Sequence, residues 1–221
     1  RGLGDVYKRQ HARRDRTVLD LRPEREHLGA PRLDPAEEIG WIESRRGDML
    51  GFWSKVEEGT IPTRVTHNDT KINNILFDRQ GEVLCAIDLD TVMASTSLND
   101  FGDAIRSYAN TGDEDDRDLS RVGLSLEMFR AYTEGYLSQR AKQLTDSEID
   151  HLAFSTRYIT FEQVLRFLMD YIDGDTYYKV KYPGHNLVRT HAQYRLLQSM
   201  EEHYGEMCRI VRETVDKYRK A

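Results

Sequence analysis

Apolar residues in the second half of the chain recur at helical spacing. Between residues 118 and 141, and again between 149 and 171, they stand three or four positions apart, and the same spacing runs from about 187 to 219. This spacing places apolar side chains along one face of a helix. Thr145-Asp-Ser-Glu148 has the form of a capping box, and Gly174 is a typical break after the helix that the box opens. The pattern predicts three long helices.

The first half combines one helix with a hairpin. Apolar residues at helical spacing run from Asp34 to Glu57, and Asp34-Pro35 is a typical helix start because a capping residue precedes a first-turn proline. Residues 74–78 and 83–90 are rich in apolar side chains and flank a polar turn that contains glycine, which predicts a β-hairpin over 74–90. We therefore expect an α+β protein that is mostly helical.

The composition fits a globular protein of one large or two small domains. Of its 221 residues 38% are hydrophobic, which is too apolar for a disordered chain. A net charge of −6 and a pI near 5.7 argue against binding to nucleic acid through phosphate contacts. No apolar run approaches the roughly 18 residues that span a bilayer, and the basic N-terminus lacks the apolar stretch of a signal peptide. We expect a cytoplasmic protein with no nucleic-acid or membrane partner, and the oligomeric state stays open.

The two cysteines of the chain do not form a recognisable motif. Cys85 lies in the second predicted strand and Cys208 in the last predicted helix, and their spacing is not that of a metal site. Free cysteine is among the most buried residue types. We expect both to be buried free thiols.

The most informative segment is RVTHNDTKINNILFD, residues 64–78. Its His67, Asp69 and Asn74 have the HxDxxxxN spacing of the catalytic loop in kinases. Phosphoryl transfer needs a carboxylate that orients and deprotonates the accepting hydroxyl, and a nearby amide oxygen that holds Mg²⁺. Lys71 can approach the transferred phosphate as a point charge. The segment is predicted to be a catalytic loop, with Asp69, Lys71 and His67 as its candidate catalytic residues.

The predicted hairpin brings further acidic residues to this loop. If its turn is centred on Gly81, Asn74 lies directly opposite Asp88, at the roughly 4.5 to 5.5 Å that separates β-carbons of a cross-strand pair. An amide and a carboxylate at this separation can ligate one Mg²⁺. Asp90 lies two residues later on the same strand face, and is either a further ligand or a hydrogen-bond acceptor at the strand end. The predicted metal ligands are Asn74, Asp88 and Asp90.

Each of these residues also has a structural interpretation. Asp69 can form a turn, and Asn74 can satisfy backbone groups of a polar loop. We expect His67 to brace the loop through hydrogen bonds, because the role of base falls to Asp69. The letters DFG at 100–102, which mark a magnesium ligand in protein kinases, lie beyond the hairpin. We expect Asp100 to cap a helix instead, with Asp103 near its positive N-terminal end.

Four blocks, THNDTKINN, IDLDTVM, DFGDAIR and RFLMDYIDGDTYYK, occur in this order. Together they resemble the aminoglycoside phosphotransferase and choline kinase family, whose fold is like that of protein kinases, and within it most of all the N-acetylhexosamine 1-kinases. The resemblance implies that Asp69 is the base, that Asn74 and Asp88 hold Mg²⁺, and that ATP is the phosphoryl donor. The acceptor would be the anomeric hydroxyl of N-acetylglucosamine or N-acetylgalactosamine.

The resemblance also implies two contacts to the sugar besides Asp69. Arg166 in RFLMDY and Tyr177 in GDTYYK match contacts of the family. An arginine that binds hydroxyls and an aromatic ring beside it suit a sugar pocket. From the sequence alone, Arg166 could instead pair with Asp170 one turn later in the helix.

A kinase of this fold also needs an N-terminal β-lobe with a strand lysine for the phosphates of ATP, and no such pattern precedes residue 64. Residues 1–10 have no helical or strand period and resemble translated adaptor sequence, so we expect them to be non-native. We expect residues 11–33 to be a remnant that leads to a missing N-terminal lobe, and residues 34–221 to be the C-terminal lobe, with a helical substrate region over 100–221. Such a lobe alone is expected to bind ATP poorly and to turn over little.

Other functions stay open. A kinase for another small hydroxyl compound, such as an aminoglycoside, choline or homoserine, would share the catalytic loop but is not expected to share RFLMDYIDGD and IDLDTVM. A protein kinase is disfavoured because no activation segment with the letters APE follows. A non-enzymatic fragment or pseudokinase-like module is the remaining alternative.

Overall fold

A computed structural model describes residues 35–219, and the expectations for residues 1–10 and 11–33 lie outside this range. The first helix, α1, spans Ala36–Glu57, and the chain leaves it at Gly59, which has a positive φ of 78°. The predicted helix is therefore confirmed, while its expected capping residue Asp34 is not among the described residues.

Four short strands form two antiparallel pairs. The pairs are β1 (Arg64–Thr66) with β4 (Met93–Ser95), and β2 (Ile75–Phe77) with β3 (Val83–Ala86). The Asp78 carboxylate closes the turn between β2 and β3 by accepting hydrogen bonds from the backbone N–H groups of Gln80 and Glu82. A hairpin is present in the predicted segment, but it is shorter than predicted.

The register of this hairpin differs from the predicted one. The backbone N–H of Ile87 donates to the carbonyl oxygen of Asn74 at 2.9 Å, so Asn74 lies opposite Ile87 and not opposite Asp88. The pairing is also irregular between Leu76 and Phe77. The pair nearest the turn, Phe77 with Val83, centres the turn one residue before Gly81, and the irregularity then shifts the partners by one residue towards the predicted register.

Five α-helices follow β4 in the described part of the chain. They are α2 (Ser97–Tyr108), α3 (Leu126–Arg140), α4 (Asp146–Ile172), α5 (His185–Glu202) and α6 (Tyr204–Arg219). The predicted capping box of Thr145 and Glu148 is present at the start of α4, and Gly174 follows its end. Within residues 35–219, no helix combines the length and the apolar character needed to span a bilayer.

Two helices have limits other than the predicted ones. The helix predicted over 118–141 begins only at Leu126, because Ser125 caps it and Leu124 forms a β-bridge with Asn110. The single helix predicted over 187–219 is interrupted at His203. Both halves bury apolar residues at helical spacing, so the sequence pattern does not reveal the interruption.

Helix α4 is the centre of the fold and packs against α2 and α5 along much of its length. Gly102 of α2 approaches it so closely that a β-carbon there would lie 2.4 Å from the Ser155 carbonyl oxygen. The neighbouring Phe101 is fully buried and packs against the rings of Phe129 and Tyr136. The phenylalanine and glycine of the DFG string therefore serve the packing of α2 on its neighbours.

A partly buried ion pair joins the strand before the catalytic loop to the start of α4. The Arg64 guanidinium donates to the two carboxylate oxygens of Glu148 at 2.6 and 2.7 Å, and the Glu148 side chain is fully buried. Burial alone would raise the pKa of this carboxyl, but the hydrogen bonds from Arg64, Thr145 and Ser97 outweigh it and lower the pKa to about 2.

We expect this pair to contribute to a loss of stability in acid. Because the folded pKa of about 2 lies below the ordinary 4.5, the carboxylate stabilises the folded state above pH 4.5, and this contribution is lost as the pH falls towards 2. Urea unfolding of the wild type and of Glu148→Gln at about pH 7 and about pH 3 tests this. The wild type should lose more free energy of unfolding than the variant between the two pH values, and equal losses would contradict the role of the pair.

Candidate active site

The loop between β1 and β2 brings the predicted catalytic residues together. Asp69 Oδ2 accepts hydrogen bonds from Lys71 Nζ at 2.9 Å and from the amide nitrogen of Asn74 at 2.8 Å. The same amide nitrogen donates to the backbone carbonyl of Asp69 at 2.8 Å. Asn74 is buried, whereas Asp69 and Lys71 are partly exposed. The loop thus presents one carboxylate, with a lysine beside it and a buried amide behind it.

These hydrogen bonds fix the orientation of the Asn74 amide. Its NH₂ group is turned to Asp69, so its oxygen Oδ1, on the opposite side of the amide carbon, points away from that carboxylate. An amide oxygen at this point of the loop is the group that kinases use to bind Mg²⁺. The residue therefore can serve both as a brace for Asp69 and as a metal ligand.

The acidic residues after β3 do not continue the strand. Asp88 has a left-handed backbone conformation with a φ of 60°, and residues 89–91 form a turn of 3₁₀ helix. Alternation of side chains therefore ends at Ala86, and the prediction that Asp88 and Asp90 share one strand face is wrong. Both are exposed. Because Asn74 lies opposite Ile87, Asp88 is still only one residue from the position opposite the predicted amide ligand.

The catalytic loop and the segment after β3 each contain a residue with a strained backbone. Asn68, directly before Asp69, has a φ of 62°, close to the 60° of Asp88. A left-handed conformation costs a non-glycine residue about 1–3 kcal/mol, and such residues cluster at active sites. The strain is thus found directly before the predicted base and at the predicted metal ligand Asp88.

The chemistry of the ligands fits magnesium. Among residues 35–219, no three His, Cys, Asp or Glu side chains are gathered into a metal site. A metal ion at the hairpin would therefore rest on the amide oxygen of Asn74 and the carboxylate of Asp88, which are hard oxygen ligands of the kind that Mg²⁺ prefers.

Two aspartates of α2 hold the catalytic loop by its backbone. The Asp100 carboxylate accepts hydrogen bonds from the N–H groups of His67 at 2.9 Å and Asn68 at 2.7 Å. The Asp103 carboxylate accepts one from the N–H of Thr70 at 2.7 Å. The backbone on both sides of Asp69 is therefore attached to one helix.

The prediction that Asp100 caps a helix is wrong. The N-cap of α2 is Thr96, whose hydroxyl accepts from the N–H of Leu98, and Asp100 lies in the first turn with its side chain directed to the loop. Burial raises the pKa of the Asp100 carboxyl, and the N–H groups of Asn68 and His67 offset only part of this effect.

His67 connects the catalytic loop to the hairpin. Its backbone carbonyl accepts from the Thr91 hydroxyl at 2.6 Å, and its ring Nε2 lies 3.0 Å from the carbonyl oxygen of Ile87. A carbonyl oxygen only accepts, so Nε2 carries the proton in this contact. These contacts support the bracing role that the sequence favours.

A polar cavity of about 70 Å³ lies beside Asp69, between α2 and α4. Helix α2 contributes Asn99, Asp103 and Arg106 to its wall, and helix α4 contributes Glu162, Gln163 and Arg166. Charges of both signs and two amides of these helices therefore line the cavity. The cavity therefore offers both donors and acceptors of hydrogen bonds next to the predicted base.

Of the residues that line this cavity, only Asp69 and Arg166 were predicted as site residues from the sequence. The polar residues of α2 stand at positions 99, 103 and 106, which share one face of a helix that is otherwise largely buried. Polar residues at helical spacing in the middle of a buried helix are a usable signal. This signal identifies a binding cavity only when the helix that packs opposite α2 is known.

Arg166 lies beside two tyrosines of the loop after α4. Its guanidinium carbon is 6.0 Å from the ring centre of Tyr177 and 5.6 Å from that of Tyr178. The alternative that Arg166 pairs with Asp170 is wrong, because the Asp170 carboxylate instead accepts hydrogen bonds from backbone N–H groups of residues 176–178. The structure thus brings Arg166 and Tyr177 together at the side of the cavity.

The hairpin presents an exposed apolar surface. Val83 and Leu84 are each 63% exposed, and no residue of β3 is buried. Cys85 is therefore exposed and Cys208 is half-buried, so the expectation of two buried thiols is wrong, although both are free. The apolar residues of a strand are buried only where another layer of the fold covers that strand. No residue of β3 is buried, and Cys85 is therefore exposed together with the rest of the strand.

A family model described as the phosphotransferase enzyme family, APH, matches residues 2–137. The match covers more than half of the chain and includes the catalytic loop, the hairpin and α2, whereas Arg166 and Tyr177 lie beyond it. Phosphotransferases of this family use ATP and typically Mg²⁺, and they act on hydroxyl groups of small molecules. The mostly helical α+β fold is compatible with the C-terminal lobe of a protein-kinase-like fold. On the loop geometry and this match together, the chain belongs to the phosphotransferase enzyme family.

Proposed function

We propose that the chain carries the catalytic and acceptor-binding residues of a kinase that uses ATP and Mg²⁺ to phosphorylate the anomeric hydroxyl of N-acetylglucosamine or N-acetylgalactosamine. The observation that carries this proposal is the position of the Asp69 carboxylate at the edge of a polar cavity, between Lys71 and the Asn74 amide. The product is the sugar 1-phosphate.

Asp69 acts as the general base. A carboxylate that borders the cavity accepts the proton of a hydroxyl bound there. The hydroxyl oxygen attacks the γ-phosphorus of ATP in line, the bond from this phosphorus to the β–γ bridging oxygen breaks, and ADP leaves. Lys71, 2.9 Å from this carboxylate, lies close enough to offset the negative charge of the phosphoryl group during transfer.

Asn74 and Asp88 would hold Mg²⁺ in this proposal. A Mg²⁺ ion held there would neutralise the negative charge that develops on the phosphate oxygens of ATP. The orientation of the Asn74 amide, whose NH₂ group is turned to Asp69, supports the assignment of its oxygen to the metal.

The cavity and the side chains beside it favour a neutral, hydroxyl-rich acceptor. Arg166 and Gln163 donate hydrogen bonds, while Glu162 and Asp69 accept them, and a sugar supplies partners for both. The Tyr177 ring, beside Arg166, can pack on the face of a sugar ring. Choline is recognised by cages of aromatic rings, whereas the two tyrosines beside this cavity lie against the positively charged Arg166, which would repel a second cation. This contrast supports a sugar over choline.

A panel of acceptors tests the function. Kinases of this fold bind the phosphates of ATP through a strand lysine of an N-terminal lobe, so the assay uses a polypeptide in which the chain follows such a lobe. With ATP and Mg²⁺ we expect phosphorylation of N-acetylglucosamine or N-acetylgalactosamine, with the 1-phosphate identified by phosphorus NMR.

The methyl glycosides of the same sugars are the matched controls. They keep the ring, the N-acetyl group and the other hydroxyls but lack a free anomeric hydroxyl, so they should not react. Phosphorylation of choline, homoserine or an aminoglycoside, but of no N-acetylhexosamine, would show that the sugar assignment is wrong. Phosphorylation of none would favour the non-enzymatic alternative.

A further inference from the structure

We infer that Asp170 is a positioning residue for the acceptor. Its buried carboxylate fixes the loop after α4, and through Tyr177 and Tyr178 this loop holds Arg166 and Gln163 at the wall of the cavity. The inference rests on the proposed function in one respect, that the cavity beside Asp69 receives the acceptor.

The Asp170 carboxylate is a binding site for the backbone of this loop. Only 5% of Asp170 is exposed. Oδ1 accepts from the N–H groups of Thr176 at 2.9 Å and Tyr177 at 2.7 Å. Oδ2 accepts from the N–H of Tyr178 at 3.0 Å and from the amide of Asn186 at 2.7 Å. Hydrogen bonds to an ionised acceptor are the strong ones, so these contacts determine where the loop lies.

The loop after α4 has an unusual backbone conformation, which such hydrogen bonds stabilise. Gly174 and Asp175 both have left-handed backbone conformations, with φ values of 87° and 61°. For Asp175 this conformation is uncommon, and it persists only where surrounding contacts impose it. The Asn186 amide, which donates to Asp170, also donates to the Asp175 carboxylate at 2.9 Å. The Asn186 amide at the start of α5 therefore links Asp170 of α4 to Asp175 of the loop.

The fixed loop reaches the cavity through its tyrosines. The Tyr178 hydroxyl accepts from the amide of Gln163 at 3.5 Å, and the Arg166 guanidinium lies against the rings of Tyr177 and Tyr178. Gln163 and Arg166 both line the cavity that contains Asp69. Asp170 is not among the described residues that line it, so Asp170 acts on the acceptor only through the loop.

The substitution Asp170→Asn tests the inference with little change of shape. Asparagine retains one oxygen, but its NH₂ group faces the donors of Tyr178 and Asn186, so two of the four hydrogen bonds are lost. We expect the KM for the acceptor to rise about ten-fold, with kcat and the KM for ATP unchanged within about two-fold. Asp173→Asn, which removes a carboxylate three residues later, is the control and should leave all three values unchanged.

A second measurement follows the loop itself. In the 221-residue chain, hydrogen exchange at the amides of residues 176–178 should be slow in the wild type and fast in Asp170→Asn. If Asp170→Asn does not fold, Asn186→Ala, which removes one of the four donors, should change exchange and acceptor KM in the same direction by a smaller factor. Faster exchange with an unchanged acceptor KM would overturn the inference. An equal rise in the KM for ATP would show a merely structural role and would also overturn it.

The acceptor in these kinetics is whichever member of the panel the wild type phosphorylates. A wild type that phosphorylates choline, but whose KM for choline rises on Asp170→Asn, would refute the sugar assignment and support the role of Asp170. If the wild type phosphorylates N-acetylglucosamine but Asp170→Asn leaves the KM for this sugar unchanged, the sugar assignment is supported and the role of Asp170 is refuted. A wild type without any acceptor would overturn both.

Discussion

Asp69→Asn is expected to lower kcat for sugar phosphorylation by about a hundred- to ten-thousand-fold, while the KM for ATP stays within about two-fold of the wild type. Asparagine has the shape of aspartate but cannot accept the proton of the attacking hydroxyl. It also loses the ion pair with Lys71, which lies 2.9 Å from the carboxylate. Steady-state kinetics of the lobe-containing polypeptide, with the sugar that the panel identifies, measure the effect.

Asp69→Glu is the informative companion to this substitution. It keeps a proton acceptor but displaces it by one methylene group, so it should retain more activity than Asp69→Asn. Melting temperatures of both variants show whether the loop remains folded. A kcat of Asp69→Asn within about ten-fold of the wild type would show that Asp69 is not the base.

Asp100→Ala is expected to have the second largest effect, on both activity and stability. It leaves the N–H groups of His67 and Asn68 without their acceptor, and each buried unpaired donor costs about 1–3 kcal/mol. Because these residues directly precede Asp69, the catalytic carboxylate moves as well. We expect a loss of about 2–5 kcal/mol in the free energy of unfolding and a fall of ten-fold or more in kcat.

The size of this effect separates two roles for Asp100. A carboxylate that only complements the positive end of α2 contributes about 0.3–1 kcal/mol. A loss in this lower range, together with an unchanged kcat, would contradict the role in holding the loop. Asp150→Ala, which removes an exposed aspartate of α4, controls for the removal of one negative charge and should change neither quantity appreciably.

The local features of the fold were predictable because their physical causes are local. The capping box at Thr145 and Glu148 involves residues three positions apart, and the turn at Asp78 closes on its own backbone. The catalytic loop is equally local, since Asp69 and Asn74 are five residues apart and meet through one amide. In each case the contacts that stabilise the element are encoded in one short segment.

The errors share a different cause. The hairpin register was wrong because the pair nearest the turn, Phe77 with Val83, centres the turn on Gln80 and not on Gly81. The limits of two helices were wrong because apolar spacing continues beyond them. Aspartate is a common helix cap, but the cap of α2 is Thr96. The Asp100 carboxylate instead accepts a hydrogen bond from the backbone of Asn68, 32 residues earlier in the chain. Spacing alone does not contain such contacts.

By itself, the sequence determined the mostly helical α+β class, the helices around their apolar stripes, and the loop that presents Asp69 with Lys71 and Asn74. The tertiary structure alone decided what supports and surrounds that loop. It turned Asp100 and Asp103 to the loop backbone, placed Arg106 and Gln163 on facing helices, and directed Asp170 to the loop after α4. The physical reason is that a side chain gains a buried partner only when helices distant in sequence pack together. The residue type is then compatible with several roles, and the packing selects one.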